Sequence, residues 1–154
     1  MDKTQKSVDK PKRKVARDPE QELIEAVAQF KHDPLGYVKF AFGWGEGSLL
    51  AHGGPDAWQY SLLERVSALL TADPLKSQQF SVSSGHGVGK TALVSWLILW
   101  FMSTHSTPQV VVTANTRTQL ESKTWRELSK WQKLAINGHW FEWTATSFYM
   151  KGMP

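Results

Sequence analysis

Eight consecutive residues, Ser84-Gly85-His86-Gly87-Val88-Gly89-Lys90-Thr91, carry the types and spacing that bind phosphate. They fit the phosphate-binding loop (P-loop) pattern G-x-x-x-x-G-K-[ST], with Ser84 standing where the first glycine is usual. Gly85, Gly87 and Gly89 let the backbone turn its N–H groups inward around an anion. A helix beginning at the end of the loop adds unsatisfied donors and the partial positive charge of its N-terminus. In this reading Ser84, Gly85, His86, Gly87, Val88, Gly89, Lys90 and Thr91 all bind the phosphates of ATP. Lys90 reaches the β- and γ-phosphates, and the Thr91 hydroxyl ligates Mg²⁺.

The loop alone hydrolyses nothing. Hydrolysis needs a carboxylate in the Mg²⁺ shell and another to orient the attacking water, both at the end of a later apolar strand. The acids after Thr91 are Glu121, Glu127 and Glu142, and none closes such a strand. No catalytic residue is therefore assigned.

The elements that must hold the loop are legible in the flanking sequence. Gln79-Phe80-Ser81-Val82 reads as a strand over about 79–83, leading into the loop. The apolar run Ala92–Met102 reads as a helix over about 89–103, buried on all sides. Gln109-Val110-Val111-Val112-Thr113 reads as a buried strand. Upstream, Leu23, Ile24, Val27 and Phe30 mark an amphipathic helix from Pro19 to just before Asp33-Pro34. A short helix is expected near 35–41 within an otherwise irregular Gly- and aromatic-rich stretch. Leu62, Leu63, Val66, Leu69 and Leu70 mark a helix from Asp56 to about Ala72. Thr116 with Gln119 signals a further helix start, carrying Leu120, Trp125, Leu128 and Trp131 toward a core. Phe141–Met150 reads as a final strand. The order predicts an α/β fold: a partial P-loop NTPase of RecA or helicase type, its parallel sheet flanked by helices.

Composition sets outer bounds. The chain has 154 residues, 41% of them hydrophobic, with eight tryptophans and no cysteine. A core is affordable at this size, and neither disulfides nor a zinc–thiolate site is possible. The net charge of +4 is uneven: residues 1–20 hold seven of the 18 Lys and Arg and four of the 14 acids, leaving 11 basic and 10 acidic residues elsewhere. Residues 1–18 are expected to be a disordered basic tail, and contact with a phosphate backbone is the sharper alternative. Residues 19–154 are expected to form the folded part. The 11-residue apolar run is too short to span a bilayer.

Taken together, these residues resemble the start of a bacteriophage large terminase subunit, an ATP-driven DNA-packaging motor. Asp33-Pro34, the aromatic stretch around Phe40, Phe42, Gly43 and Trp44, then Gly54-Pro55 and Trp58-Gln59, precede the loop in the family's order. Thr113-Ala114-Asn115-Thr116 with Gln119 resembles the family's second strand and its turn. The resemblance covers roughly 20–150. It implies that Trp58 and Gln59 contact adenine; the alternative is that Gln59 caps the helix begun by Asp56. Thr113 and Gln119 similarly stand between a relay to DNA and a plain strand end and cap. Two departures stand out. His86 occupies a position that many terminases give to arginine. The acidic ATPase strand and the nuclease domain are both missing, so the chain reads as the truncated N-terminal portion of an ATPase, inactive in isolation and poorly soluble or only partly folded. The family implies double-stranded DNA, a portal protein and a small terminase subunit as partners, a homo-oligomeric ring, and the host-cell cytoplasm, with no membrane role. A helicase-like DNA-dependent ATPase and a stand-alone, non-catalytic nucleotide-binding module remain the alternatives.

Overall fold

The computed structural model describes residues 16–87 and 89–152. Most of the proposed basic tail lies outside them, as does Val88 of the loop. The described residues form a helical assembly around one long apolar helix, with a small antiparallel hairpin at the C-terminal side.

Helix starts follow the capping chemistry in the sequence. Helix α1, Pro19–Ala28, opens with Asp18 as N-cap, its carboxylate accepting from the Glu20 N–H, and with proline in the first turn. Helix α2, Pro34–Ala41, repeats the device: Asp33 Oδ1 accepts from Gly36 N at 3.0 Å and from Ser67 Oγ at 2.9 Å. A Cβ on Gly36 would lie 2.2 Å from Asp33 Oδ2, so this cap leaves no room for a side chain. Helix α3, Ala57–Ala72, buries Leu63 and Val66.

Helix α4, Lys90–Thr104, is the central pillar. It buries Leu93, Ser95, Trp96, Ile98, Leu99, Trp100 and Met102 on several faces. The polar Ser95 is tolerated because its hydroxyl donates back to the Thr91 carbonyl at 2.9 Å. Residues 105–116, between α4 and the next helix, contain no regular element. Helix α5, Arg117–Gln119, begins with Thr116 Oγ1 accepting from Gln119 N at 3.2 Å. It continues through a π-helical segment, Leu120–Trp125, into α6, Arg126–Leu134, which buries Leu128 and Trp131 against α4.

The predicted parallel sheet is not found among the described residues. Neither 79–83 nor 109–113 forms a strand. Both carry β-prone residues, but β propensity records a fit to neighbouring strands rather than a backbone preference. No described segment lies alongside to complete a hydrogen-bonded ladder. The expected buried strand 109–113 is instead turned outward: Val111 is 88% exposed and Val110 39%. The predicted final strand is in fact two short ones, β1 (Phe141–Trp143) and β2 (Phe148–Met150), paired antiparallel with Phe141 opposite Met150. Thr144 N–H donates to the Ser147 carbonyl at 2.9 Å to close the turn between them. The fold is therefore mostly helical rather than α/β.

The exposed Val110-Val111-Val112-Thr113 run has the composition of an aggregation-prone segment. Val111→Lys is expected to raise the concentration at which the protein stays monomeric by light scattering. Unchanged aggregation would place the liability elsewhere.

A buried polar chain ties α2, α4 and the end of α6 together. The Tyr37 hydroxyl donates to Asn137 Oδ1 at 2.9 Å, and Asn137 Nδ2 donates to Ser103 Oγ at 2.8 Å. Burial pushes the Tyr37 phenol up to about 12 from an ordinary 10.0. A raised acid pKa means the unfolded state loses its proton first as pH rises. The stability Tyr37 contributes is therefore intact below about pH 10 and is lost between pH 10 and about pH 12. Tyr37→Phe is expected to cost about 1–3 kcal/mol at neutral pH, because Asn137 is left short of a partner. It is also expected to flatten the alkaline loss of stability in thermal melts. An unchanged alkaline slope would assign that loss to other groups.

Candidate functional site: the Ser84–Thr91 loop

The loop sits where the chain enters α4, and two of its glycines take the left-handed backbone that a turn around an anion requires. Gly87 has φ 74° and Gly89 φ 87°. Gly89 is the N-cap of α4, so Lys90 and Thr91 are its first two helical residues. Among the described residues, no backbone N–H of 84–87 or 89–91 donates to another backbone carbonyl. The loop leads directly into the N-terminus of this 15-residue helix, the end that carries the partial positive charge. Lys90 folds back over the loop, its Nζ donating to the Ser84 carbonyl at 2.7 Å. That bond ties the cation to the first residue of the loop. Ser84, Gly85, His86 and Gly87 are exposed.

Lys90 and Thr91 also line a groove of roughly 680 Å³ between α4 and residues 109–113, with Phe80, Val94 and Val112 on its walls. No Asp or Glu is among its lining residues. Of the oxygens expected around Mg²⁺, the groove therefore offers the Thr91 side chain and no carboxylate. The rest of an octahedral shell would come from phosphate oxygens and water, since Mg²⁺ is usually held by one or two carboxylates plus substrate phosphates. Among the described residues, no group of three or more His, Cys, Asp or Glu is placed to hold a metal.

The two upstream residues divide. Trp58 is half-buried and packs against the core. Gln59 is only 3% exposed. Its Oε1 accepts from the Asp56 N–H at 2.8 Å, closing a capping box at the start of α3. Its Nε2 donates to the Gly89 carbonyl at 2.9 Å. Gln59 thus joins the start of α3 to the last residue of the loop, and both ends of its amide are engaged in doing so. The capping reading of Gln59 matches this geometry; the contact with Gly89 was not legible in the sequence. Thr113 lies in the exposed segment, and Gln119 serves the cap on Thr116.

Behind the loop, on the Gln59 side, is a second cavity of roughly 250 Å³. Gly87 and Gly89 form part of its wall, and Trp44, Trp96 and Trp131 another part. Nothing in the sequence marks it, because its residues are drawn from 44 to 134 with no shared spacing.

Compared with protein-family models, with curated proteins and with solved structures, the chain matches none. No helix among the described residues is long and apolar enough to cross a membrane.

Proposed function

We propose that this chain binds ATP through the Ser84–Thr91 loop, as the nucleotide-holding part of a phage DNA-packaging motor of the large terminase type. The observation that carries the nucleotide reading is the junction of loop and helix. Two left-handed glycines, amides that among the described residues donate to no backbone carbonyl, and a Lys90 bonded back to Ser84 meet at the N-terminus of α4. The terminase reading is supported by the order of Asp33-Pro34, the aromatic stretch, Trp58-Gln59 and the loop along the sequence. Double-stranded DNA, a portal protein and a small terminase subunit are the partners that reading entails, and a homo-oligomeric ring its assembly.

The acid-free groove beside Thr91 favours a second reading, a non-catalytic nucleotide-binding module. Both readings expect the same first result: ATP binds in the presence of Mg²⁺ without turnover. Calorimetry and a phosphate-release assay on the same sample test this. Steady phosphate release above a Lys90→Ala control would show that the chain supplies a catalytic acid. Stimulated release on adding duplex DNA and the remaining motor components would separate a motor part from a stand-alone module.

A further inference from the structure

The groove beside the loop has a phosphate-binding end and an apolar body. Lys90 and Thr91, in the first turn of α4, line it, and so do Val94, Leu97 and Ile98 further along the same helix. Phe80 and Val112 add to the apolar wall. At roughly 680 Å³ it falls within the range of small-molecule sites, about 300–1,000 Å³. Such sites combine apolar walls with a few polar groups. Here those groups are Gln109, Thr113 and Thr124, whose side chains have no hydrogen-bond partner among the described residues. The backbone of 109–113 is equally uncommitted. Among the described residues, none of its N–H or C=O groups bonds to another backbone group. Thr124 comes from the π-helical segment Leu120–Trp125, a rare geometry that often marks functional sites.

Charge and length select the ligand. No acid lines the groove, and Lys90 stands at the N-terminus of α4, so this end accepts an anion. Leu97 and Ile98 lie about 9–10 Å along the helix from Thr91, a separation that a ribose and a short phosphate chain span. A purely aliphatic tail would fill the walls but leave Gln109, Thr113 and Thr124 covered and unbonded, which is costly. A nucleobase presents flat faces to the walls and carries donors and acceptors at its edge. The smaller cavity on the Gln59 side is a poorer fit, because Asp56 and Glu127 line it while Lys90 and Thr91 do not.

We propose that this groove receives the base and ribose of the bound nucleotide, with the phosphates at Lys90 and Thr91 and the base between α4 and residues 109–113. The inference rests on the nucleotide reading above. It moves base contact away from Gln59, whose amide is engaged at both ends.

The test measures binding of ATP, adenosine and inorganic tripolyphosphate to the full chain by calorimetry. It uses the unaltered protein, Val94→Trp, Phe80→Ala and Lys90→Ala. Val94 is 39% exposed on α4, so a larger side chain there fills the groove rather than the core. Val94→Trp is expected to abolish measurable adenosine binding, to bring ATP down to the affinity of tripolyphosphate, and to leave tripolyphosphate unchanged. Phe80→Ala removes an aromatic wall from a segment outside any helix or strand, and is expected to weaken adenosine and ATP about tenfold. It decides the matter if circular dichroism shows that Val94→Trp is unfolded. Lys90→Ala is expected to weaken tripolyphosphate about tenfold or more and to keep adenosine. Tripolyphosphate binding with no adenosine binding, or ATP affinity indifferent to Val94 and Phe80, overturns the base site and leaves the phosphate loop standing. Decyl phosphate binding more tightly than ATP would also overturn it, giving the groove to an aliphatic tail. Adenosine binding that Val94→Trp removes, without tripolyphosphate binding, supports the groove and overturns the phosphate loop.

Discussion

Lys90→Ala is expected to weaken ATP binding roughly tenfold to a hundredfold while leaving the fold almost untouched. The magnitude comes from the charge. A hydrogen bond to an ionised group contributes about 1.5–3 kcal/mol, and each 1.4 kcal/mol is a factor of ten in affinity. Lys90 Nζ is the cation bonded to the Ser84 carbonyl at the start of the loop. The backbone amides that remain after its removal are dipoles, and still supply residual affinity. The stability cost is small because the Lys90–Ser84 bond is exposed, and exposed substitutions usually change stability by less than about 0.5 kcal/mol. Lys90→Met, which keeps most of the alkyl stem, is expected to bind as weakly as Lys90→Ala; this separates charge from packing. Calorimetric titrations and thermal melts on the same preparations give both quantities. Indistinguishable dissociation constants for the unaltered protein and both variants would remove the phosphate site from this loop.

What could be read from the sequence was local. Asp56 and Thr116 mark helix starts in the sequence, and α3 and α5 begin there; Asp18 and Asp33 cap α1 and α2 by the same chemistry. The apolar run of α4 was legible for the same reason, since burial on several faces needs no partner to be named in advance. The loop was legible because its glycines, lysine and threonine are consecutive. Strands are another matter. A strand is completed by hydrogen bonds to a neighbour that may lie anywhere in the sequence, and the β-branched run at Val110–Thr113 says nothing about whether that neighbour exists. Here none of the described segments supplies it, and the run lies exposed. The same limit hid the Trp44–Trp96–Trp131 cluster: three rings brought within 6 Å of one another by the stretch after α2, by α4 and by α6 share no interval in the chain. It also concealed the reach of Gln59 to Gly89, 30 positions away.

That reach makes Gly89 the most exacting position in the site. Gly89→Ala is expected to destabilise the protein by about 2–4 kcal/mol and to abolish measurable ATP binding. Two costs combine. Gly89 sits at φ 87°, where a Cβ meets the backbone at a cost of about 1–2 kcal/mol. A Cβ there would also lie 2.4 Å from Gln59 Nε2, forcing the amide off the Gly89 carbonyl and disturbing the start of α3. A lost hydrogen bond that leaves its buried partner unsatisfied adds about 1–3 kcal/mol. The two costs can be separated because only the second involves Gln59. In Gly89→Ala/Gln59→Ala the collision disappears while the left-handed backbone strain stays. The double variant is therefore expected to be less destabilised than the sum of the single ones by about 1 kcal/mol or more, a coupling expected between residues in contact. Its ATP affinity is expected to stay low, since the strained turn no longer presents its amides at the helix end. Strict additivity in chemical denaturation would mean that Gln59 and Gly89 do not act on each other. Full recovery of ATP binding in the double variant would mean that the turn at Gly89 owes nothing to its left-handed backbone.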